Sequence, residues 1–251
     1  MTVHFVGAGP GAADLLTVRA VALLGAAGVC VYAGTYVDEA VLSHCRPGVR
    51  LVDTQHLDLD QITAAVVTAH REGLDVVRLA SGDPSLYSAL TEQTRRLDAA
   101  GVPWDVTPGV PAYAAAAAAL RTELTVPELV QTVVLTRTQA RSTAMPTSEA
   151  LERTAAIGGS LVLHLGITRI RELAAELAES YGPECPVAVV AFASQPGEVV
   201  VRGTLATIAD AVEPHGLRHT ALIIVSPALA DRSDEECAAE SHLYDPSRSR
   251  T

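Results

Sequence analysis

A chain of 251 residues that is 49% hydrophobic but only 4% aromatic builds its core mainly from Ala, Val and Leu, with material for one large or two small α/β domains. A formal charge of −11 argues against nucleic acid or an anionic membrane as the main partner, and no apolar run approaches the roughly 20 residues that a membrane span needs. All eighteen basic residues are Arg, which excludes a lysine Schiff base, a P-loop lysine and a lysine general base, and leaves Arg forks to hold any polycarboxylate.

In chain order, Val3 to Val6 reads as a first strand. No basic region precedes its apolar residues, so it is expected to open a cytoplasmic protein and not a secretory signal. It runs into Gly7-Ala8-Gly9-Pro10-Gly11, after which a helix is expected from Asp14 or Leu15 to Ala27. The opening has the look of a dinucleotide fingerprint but departs from it. Ala12 stands at the third glycine position, and Pro10 removes an N–H from the loop that would cradle a pyrophosphate. No clear acidic residue closes the second strand, Val29 to Tyr32.

The βα alternation continues with an expected helix over Val37 to Cys45, a strand over Arg50 to Asp53 and a helix over Leu59 to Gly73. The β-branched run from Val76 to Ala80 reads as a buried central strand, ended by the turn Ser81-Gly82-Asp83-Pro84-Ser85. A helix is expected from Leu86 to Ala100. A strand that ends in a Gly-bearing turn and feeds a helix is where open α/β sheets bind small ligands. Gly82 lets a ligand approach the backbone, Pro84 stiffens the turn, and Asp83 brings a fixed negative charge that would also cap the helix. A turn-and-cap residue with no ligand is the plain alternative for Asp83. Another strand, Pro103 to Thr107, stops at Pro108-Gly109-Val110-Pro111 and precedes an Ala-rich helix from Ala112 to Leu120.

From Arg121 the texture changes. A connector to Pro127 leads to a strand over Val130 to Arg137 and a polar, exposed loop over Gln139 to Thr147. A helix over Ser148 to Ala156, a strand over Ser160 to Leu165 and an amphipathic helix over Thr168 to Tyr181 follow. Val187 to Phe192 and Glu198 to Val201 read as an antiparallel hairpin in a mixed sheet. A helix over Leu205 to Val212 and a strand over Ala221 to Val225 close the second unit. Residues 1–112 and 113–230 are thus expected as two α/β domains, the first sheet mainly parallel and the second mixed, with 231–251 a frayed tail. Cys30, Cys45, Cys185 and Cys237 are isolated and read as free thiols. His215 and His219 are four apart, but Pro214 and Gly216 argue against one helix face presenting both, and no protein-bound metal is expected.

Gly7 to Gly11 after the first strand, Ser81 to Pro84 after a later one, and Thr107-Pro108-Gly109-Val110 a helix further on occur in an order and spacing that resembles the tetrapyrrole methylases of cobalamin and sirohaem synthesis. These are the class III methyltransferases that use S-adenosylmethionine (SAM). The resemblance runs from residue 3 to about residue 227. Tyr32-Ala33-Gly34, Thr91-Glu92-Gln93 and Glu123 to Arg137 look most like the branch that methylates carbon 11 of the macrocycle.

The resemblance implies a homodimer of two-domain subunits, with SAM in the trough between domains and the tetrapyrrole in a cleft at the first domain's strand ends. Position by position, it implies that Ser81, Gly82, Asp83 and Leu86 face the cofactor, with Val110, Pro111 and Ala112 beside it. Pro111 stands where relatives commonly carry Ser or Thr. From the second domain, Leu165, Phe192, Ala193, Thr220 and Ala221 would complete the cofactor site. Gly9 and Pro10 would lie on the substrate side. Arg78, Arg121 and Arg137 are the substrate-carboxylate candidates, with Arg19 a further one, and Tyr87, Tyr113 and His4 are the acid/base candidates. Asp83 is expected to orient the cofactor and not to act as a base. Two rivals of other classes stay open, a nicotinamide oxidoreductase built on Gly7 to Gly11 and a non-catalytic tetrapyrrole carrier. Within the methyltransferase reading, the same transfer on the cobalt-bearing macrocycle and methylation at another corrin position stay open too.

Overall fold

A computed structural model of the chain describes residues 1–138 and 143–230. The expected tail and residues 139–142 of the polar loop expected over Gln139 to Thr147 lie outside the described residues. The chain divides into two compact units, Met1–Ala115 and Ala116–Thr251.

The first unit carries the strands β1 (Val3–Gly7), β2 (Val29–Tyr32), β3 (Arg50–Asp53), β4 (Val76–Ala80) and β5 (Trp104–Thr107). They form one parallel sheet in the order β3-β2-β4-β1-β5. The helices are α1 (Val18–Ala26), α2 (Glu39–Leu42), α3 (Leu59–Arg71) and α4 (Leu90–Ala99), with α5 (Ala112–Leu120) running across the unit boundary. Alternation along each strand sorts the core into two layers. Val3, Phe5, Val29, Val31 and Val76 pack with Val66 and Val67 of α3 and Leu97 of α4. Val6, Cys30, Val77 and Leu79 pack with Ala20 and Leu24 of α1 and Val41 of α2 on the opposite face.

Two helices start later than their apolar periodicity suggests. The segment after Gly11 first makes a short 3₁₀ turn over Ala13–Leu15. Leu16 and Thr17 are then extended, and α1 begins at Val18, because the Thr17 side chain accepts the Ala20 N–H and caps it there. Leu86 to Ala89 is a loop and not the first turn of α4: Tyr87 and Ala89 sit at φ 54° and 55°, which interrupts any helix.

The second unit carries β6 (Val133–Arg137), β7 (Ser160–His164), β8 (Pro186–Ala191), β9 (Val199–Thr204) and β10 (Ala221–Val225) in the order β6-β7-β10-β8-β9. Only β6 and β7 are parallel, so the sheet is mixed and β8–β9 is the expected hairpin. Leu173, Ala174 and Leu177 of α7 (Ile170–Tyr181) and Ile208 and Val212 of α8 (Ile208–Val212) cover one face. The helix expected over Ser148 to Ala156 is a 3₁₀ turn, Thr147–Glu149, followed by α6 (Leu151–Ala155).

A fully buried hydrogen-bond chain ties this sheet together. The Ala228 N–H donates to Ser226 Oγ (3.0 Å), Ser226 and Ser160 hydroxyls meet at 2.6 Å, and Ser160 donates to the Leu124 carbonyl at 2.6 Å. Since Ser160 spends its proton on Leu124, Ser226 must donate to Ser160, and every member is satisfied in one direction. Ser226→Ala is therefore expected to destabilise by about 1–3 kcal/mol by orphaning two buried partners. Chemical denaturation checks this, and a wild-type midpoint would contradict it.

Among the described residues Cys30 and Cys185 are buried and Cys45 is half-buried, all as free thiols. No described helix is long and apolar enough to cross a membrane.

Candidate active site

β1 and β4 are neighbours, but their onward connections part. The chain leaves β1 through α1 toward β2 on one face, and leaves β4 through α4 toward β5 on the other. In open parallel sheets such a reversal opens a crevice outside the carboxyl ends of the strands, where ligands bind. Three turns meet there, at Gly7 to Pro10, Ser81 to Ser85 and Pro108 to Pro111.

The glycines of these turns serve one another. Gly9 and Gly82 exchange backbone hydrogen bonds of 3.1 and 2.8 Å, with φ of +72° and +65°. A Cβ on Gly7 would stand 2.5 Å from Gly109 Cα and 2.7 Å from the Gly82 carbonyl oxygen, and one on Gly109 would strike that same oxygen. Backbone packs on backbone, leaving no room for a methyl. The first glycine loop is thus consumed in joining β1, β4 and β5, the use the nicotinamide alternative did not foresee.

Asp83 closes this junction. Its Oδ2 accepts the Gly109 N–H at 2.7 Å, and its Oδ1 accepts the Ser85 N–H at 2.8 Å and the Ser85 hydroxyl. Burial pushes the carboxyl pKa up, but the Ser85 hydroxyl, the Gly109 N–H and the Ser85 N–H outweigh it and hold it below the usual carboxylate value. Asp83 caps the turn, and not α4, which begins only at Leu90.

Leu86 and the half-exposed Tyr87 lie on the same loop, and Val110, Pro111, Ala112 and Tyr113 lead from β5 into the first turn of α5. The Pro111 carbonyl accepts the Ala114 N–H, so Pro111 opens that helix.

Other candidates fall elsewhere. Arg78 pairs in register with Phe5, so its side chain enters the α3/α4 layer. There its Nε donates to Gln93 Oε1 at 3.0 Å and its Nη1 to the Leu79 carbonyl at 3.0 Å, and burial lowers its pKa. The structure thereby corrects the expectation that Arg78 meets substrate. His4 lies toward the other end of β1, 2.9 Å from Asp105, and Arg19 is exposed on α1. Arg121 (φ 52°) follows the far end of α5.

In the second unit, β7 and β8 end where β10 begins, and these three strands are adjacent. Each carries a left-handed non-glycine residue at that edge: Leu165 (φ 58°), Phe192 (φ 51°) and Thr220 (φ 53°). Each such conformation costs about 1–3 kcal/mol and persists only where surrounding structure enforces it, which is characteristic of ligand sites. The Phe192 N–H donates to the Thr220 carbonyl at 2.9 Å. Leu165 is 57% exposed, an unusual setting for a leucine at a strand end. Arg137 ends β6 at the same edge, and Ala193 and Ala221 flank the strained pair. His219 packs edge-on against Phe192 at 5.6 Å, with Nδ1 2.9 Å from Thr220 Oγ1; with Pro214 and Gly216 in view, the sequence offered no sign of this contact.

A further group was passed over. Asp53, the last residue of β3, pairs with Tyr32, the last of β2, at the carboxyl edge of the first unit. Its Oδ1 accepts the N–H groups of Gly34 and Gln55, both at 2.9 Å, and its Oδ2 occupies the space that a Cβ on Gly34 would need. The Gly34 N–H first, then that of Gln55, lower its pKa, and His56 adds to the effect. A carboxylate ending a strand looks in sequence like any turn residue.

The family model for Tetrapyrrole (Corrin/Porphyrin) Methylases matches residues 2–209. The precorrin-4 C(11)-methyltransferase of Rhodococcus erythropolis is 53% identical over 251 residues, covering 100% of this chain and 99% of that protein. The crystal structure of a cobalamin biosynthetic enzyme, cobalt precorrin-4 methyltransferase, superposes with a TM-score of 0.88 at 36% identity, covering 92% of this chain and 96% of that one. The uroporphyrin-III C-methyltransferase of Thermus thermophilus, solved with S-adenosylhomocysteine (SAH), matches with a TM-score of 0.76 at 30% identity over 94% of this chain and 96% of that one.

Proposed function

The chain belongs to the tetrapyrrole (corrin/porphyrin) methylases, and we propose that it is the SAM-dependent methyltransferase of cobalamin biosynthesis that methylates C11 of precorrin-4 to give precorrin-5. The observation that carries this is the 53% identity to a precorrin-4 C(11)-methyltransferase along the whole of both chains. The same transfer on cobalt-precorrin-4 is the second reading, favoured by the TM-score of 0.88 to a cobalt-precorrin-4 enzyme. In either case the protein would work in the cytoplasm and as a homodimer, the latter a reading that rests on the family resemblance.

The residues present fit SAM. When bound, SAM supplies an electrophilic methyl group on a sulfonium, whose positive charge is lost on transfer. A surrounding of backbone amides and small or apolar side chains suits this. Each unit taken by itself offers one at its strand ends: Ser81, Gly82, Val110, Pro111 and Ala112 in the first, and Leu165, Phe192, Ala193, Thr220 and Ala221 in the second. Asp83 has both oxygens engaged, so it holds the Gly109 turn in place and adds no loose anion beside the sulfonium. Gly9 and Pro10 would border the tetrapyrrole, and Arg121 and Arg137 would meet its carboxylates. Tyr87, exposed on the β4 turn, and Tyr113 are the side chains available to move a proton. Because the macrocycle carbon is itself an electron-rich, enamine-type nucleophile, positioning supplies most of the rate.

Calorimetric titration with SAH, with NAD in parallel, tests the class: SAH alone should bind. Turnover of precorrin-4 against its cobalt form then distinguishes the two substrates. Binding of NAD alone would overturn the proposal.

A further inference from the structure

We propose that Asp53 is a substrate-contacting catalytic carboxylate, whose open Oδ2 receives ring N–H groups of the bound tetrapyrrole and stabilises the positive charge that develops on the ring being methylated. This rests on the methyltransferase reading above.

Asp53 sits at the carboxyl end of β3, exposed, on the edge that holds the β1–β4 crevice. β3 lies two strand spacings from β4, roughly 10 Å, comparable with the breadth of a tetrapyrrole macrocycle. Both backbone donors, Gly34 and Gln55, converge on Oδ1. That fixes the carboxylate's direction while Oδ2 has no hydrogen-bond donor among the described residues. A glycine at position 34 leaves room for this oxygen, because any side chain there would occupy its place. Tyr36, two residues after Gly34, is 51% exposed.

The chemistry gains from such a group. As the ring carbon gains its new bond to methyl, the lone pair of the conjugated ring nitrogen feeds that carbon, and its N–H becomes that of an iminium. The substrate takes up the positive charge that the sulfonium gives up, and the N–H proton leaves to solvent afterwards. A fixed, ionised oxygen facing that N–H lowers the energy of the charged arrangement without being reorganised during the reaction. Substrate carboxylates do not compete for it, since like charges turn them toward arginines.

Asp53→Asn separates this role from that of a turn residue. The amide oxygen retains both backbone hydrogen bonds at Oδ1, and only the charge and the acceptor at Oδ2 are lost. In the full chain, kcat on the accepted tetrapyrrole should fall roughly tenfold or more. Tetrapyrrole affinity, read by absorbance titration, should weaken too, while SAH affinity and Tm stay at wild-type values. Gly34→Ala, whose methyl would displace the Asp53 side chain and not backbone, should repeat the loss. Wild-type kcat and tetrapyrrole affinity in Asp53→Asn would overturn the inference alone. An Asp53→Asn protein with lowered Tm and lowered SAH affinity would also overturn it, in favour of a loop tie. A wild-type protein with no methyl transfer would take down the methyltransferase reading first and this inference with it.

Discussion

A single methyl group at position 7 is expected to destabilise the first unit by about 3 kcal/mol or more and to abolish measurable binding of SAH. Its Cβ would stand 2.5 Å from Gly109 Cα and N and 2.7 Å from the Gly82 oxygen. All three are backbone atoms, so no rotamer change can relieve the contact, and β5 or the β4 turn must move. Gly48→Ala is the fitting control. Gly48 has φ +78° and nothing within 4 Å of a Cβ, so only the left-handed penalty of about 1–2 kcal/mol applies. Urea denaturation and SAH titration of both variants separate the effects. A Gly7→Ala protein as stable as Gly48→Ala, and still binding SAH, would disprove the backbone junction as the organiser of the site.

Asp83→Ala is expected to weaken SAH binding about tenfold or more and to lower stability by about 1–3 kcal/mol, because the Gly109 and Ser85 N–H groups lose their acceptor. The loss of binding would come through the displaced Pro108-Gly109 turn. Asp83→Asn should fall between wild type and Asp83→Ala: one amide oxygen can serve Gly109 or Ser85 but not both, and the NH₂ group would face a donor. The pH dependence has a definite sign. The folded pKa lies below the unfolded value of about 3.9, so the stabilisation is present above that value and is lost as pH falls through the folded pKa. Wild type and Asp83→Ala should therefore differ at pH 7 and converge in acid, as denaturation at a series of pH values will read. Unchanged SAH affinity in Asp83→Ala would remove Asp83 from the site.

Much of this was legible in the chain because it is local. The strands Val29 to Tyr32 and Val76 to Ala80 are short, largely apolar runs bounded by turns, and period and punctuation suffice to read them. The helix starts were misplaced where a single side chain or dihedral decides them, as with Thr17 at α1 and the left-handed Tyr87 and Ala89 before α4. Arg78 resembled a substrate ligand because it lies near a strand end; which face of the sheet it entered depended on register with Phe5.

By itself the sequence determined the βα order, the mixed hairpin of the second unit and the three glycine-bearing turns, because each is written in neighbouring residues. Only the tertiary structure decided what those turns do. Gly7, Gly82 and Gly109 are far apart in the chain and meet only when β4 and β5 flank β1. Likewise Asp53 became distinct from a turn residue only when strand pairing set it beside Gly34, since the direction of a carboxylate is fixed by donors from elsewhere in the chain.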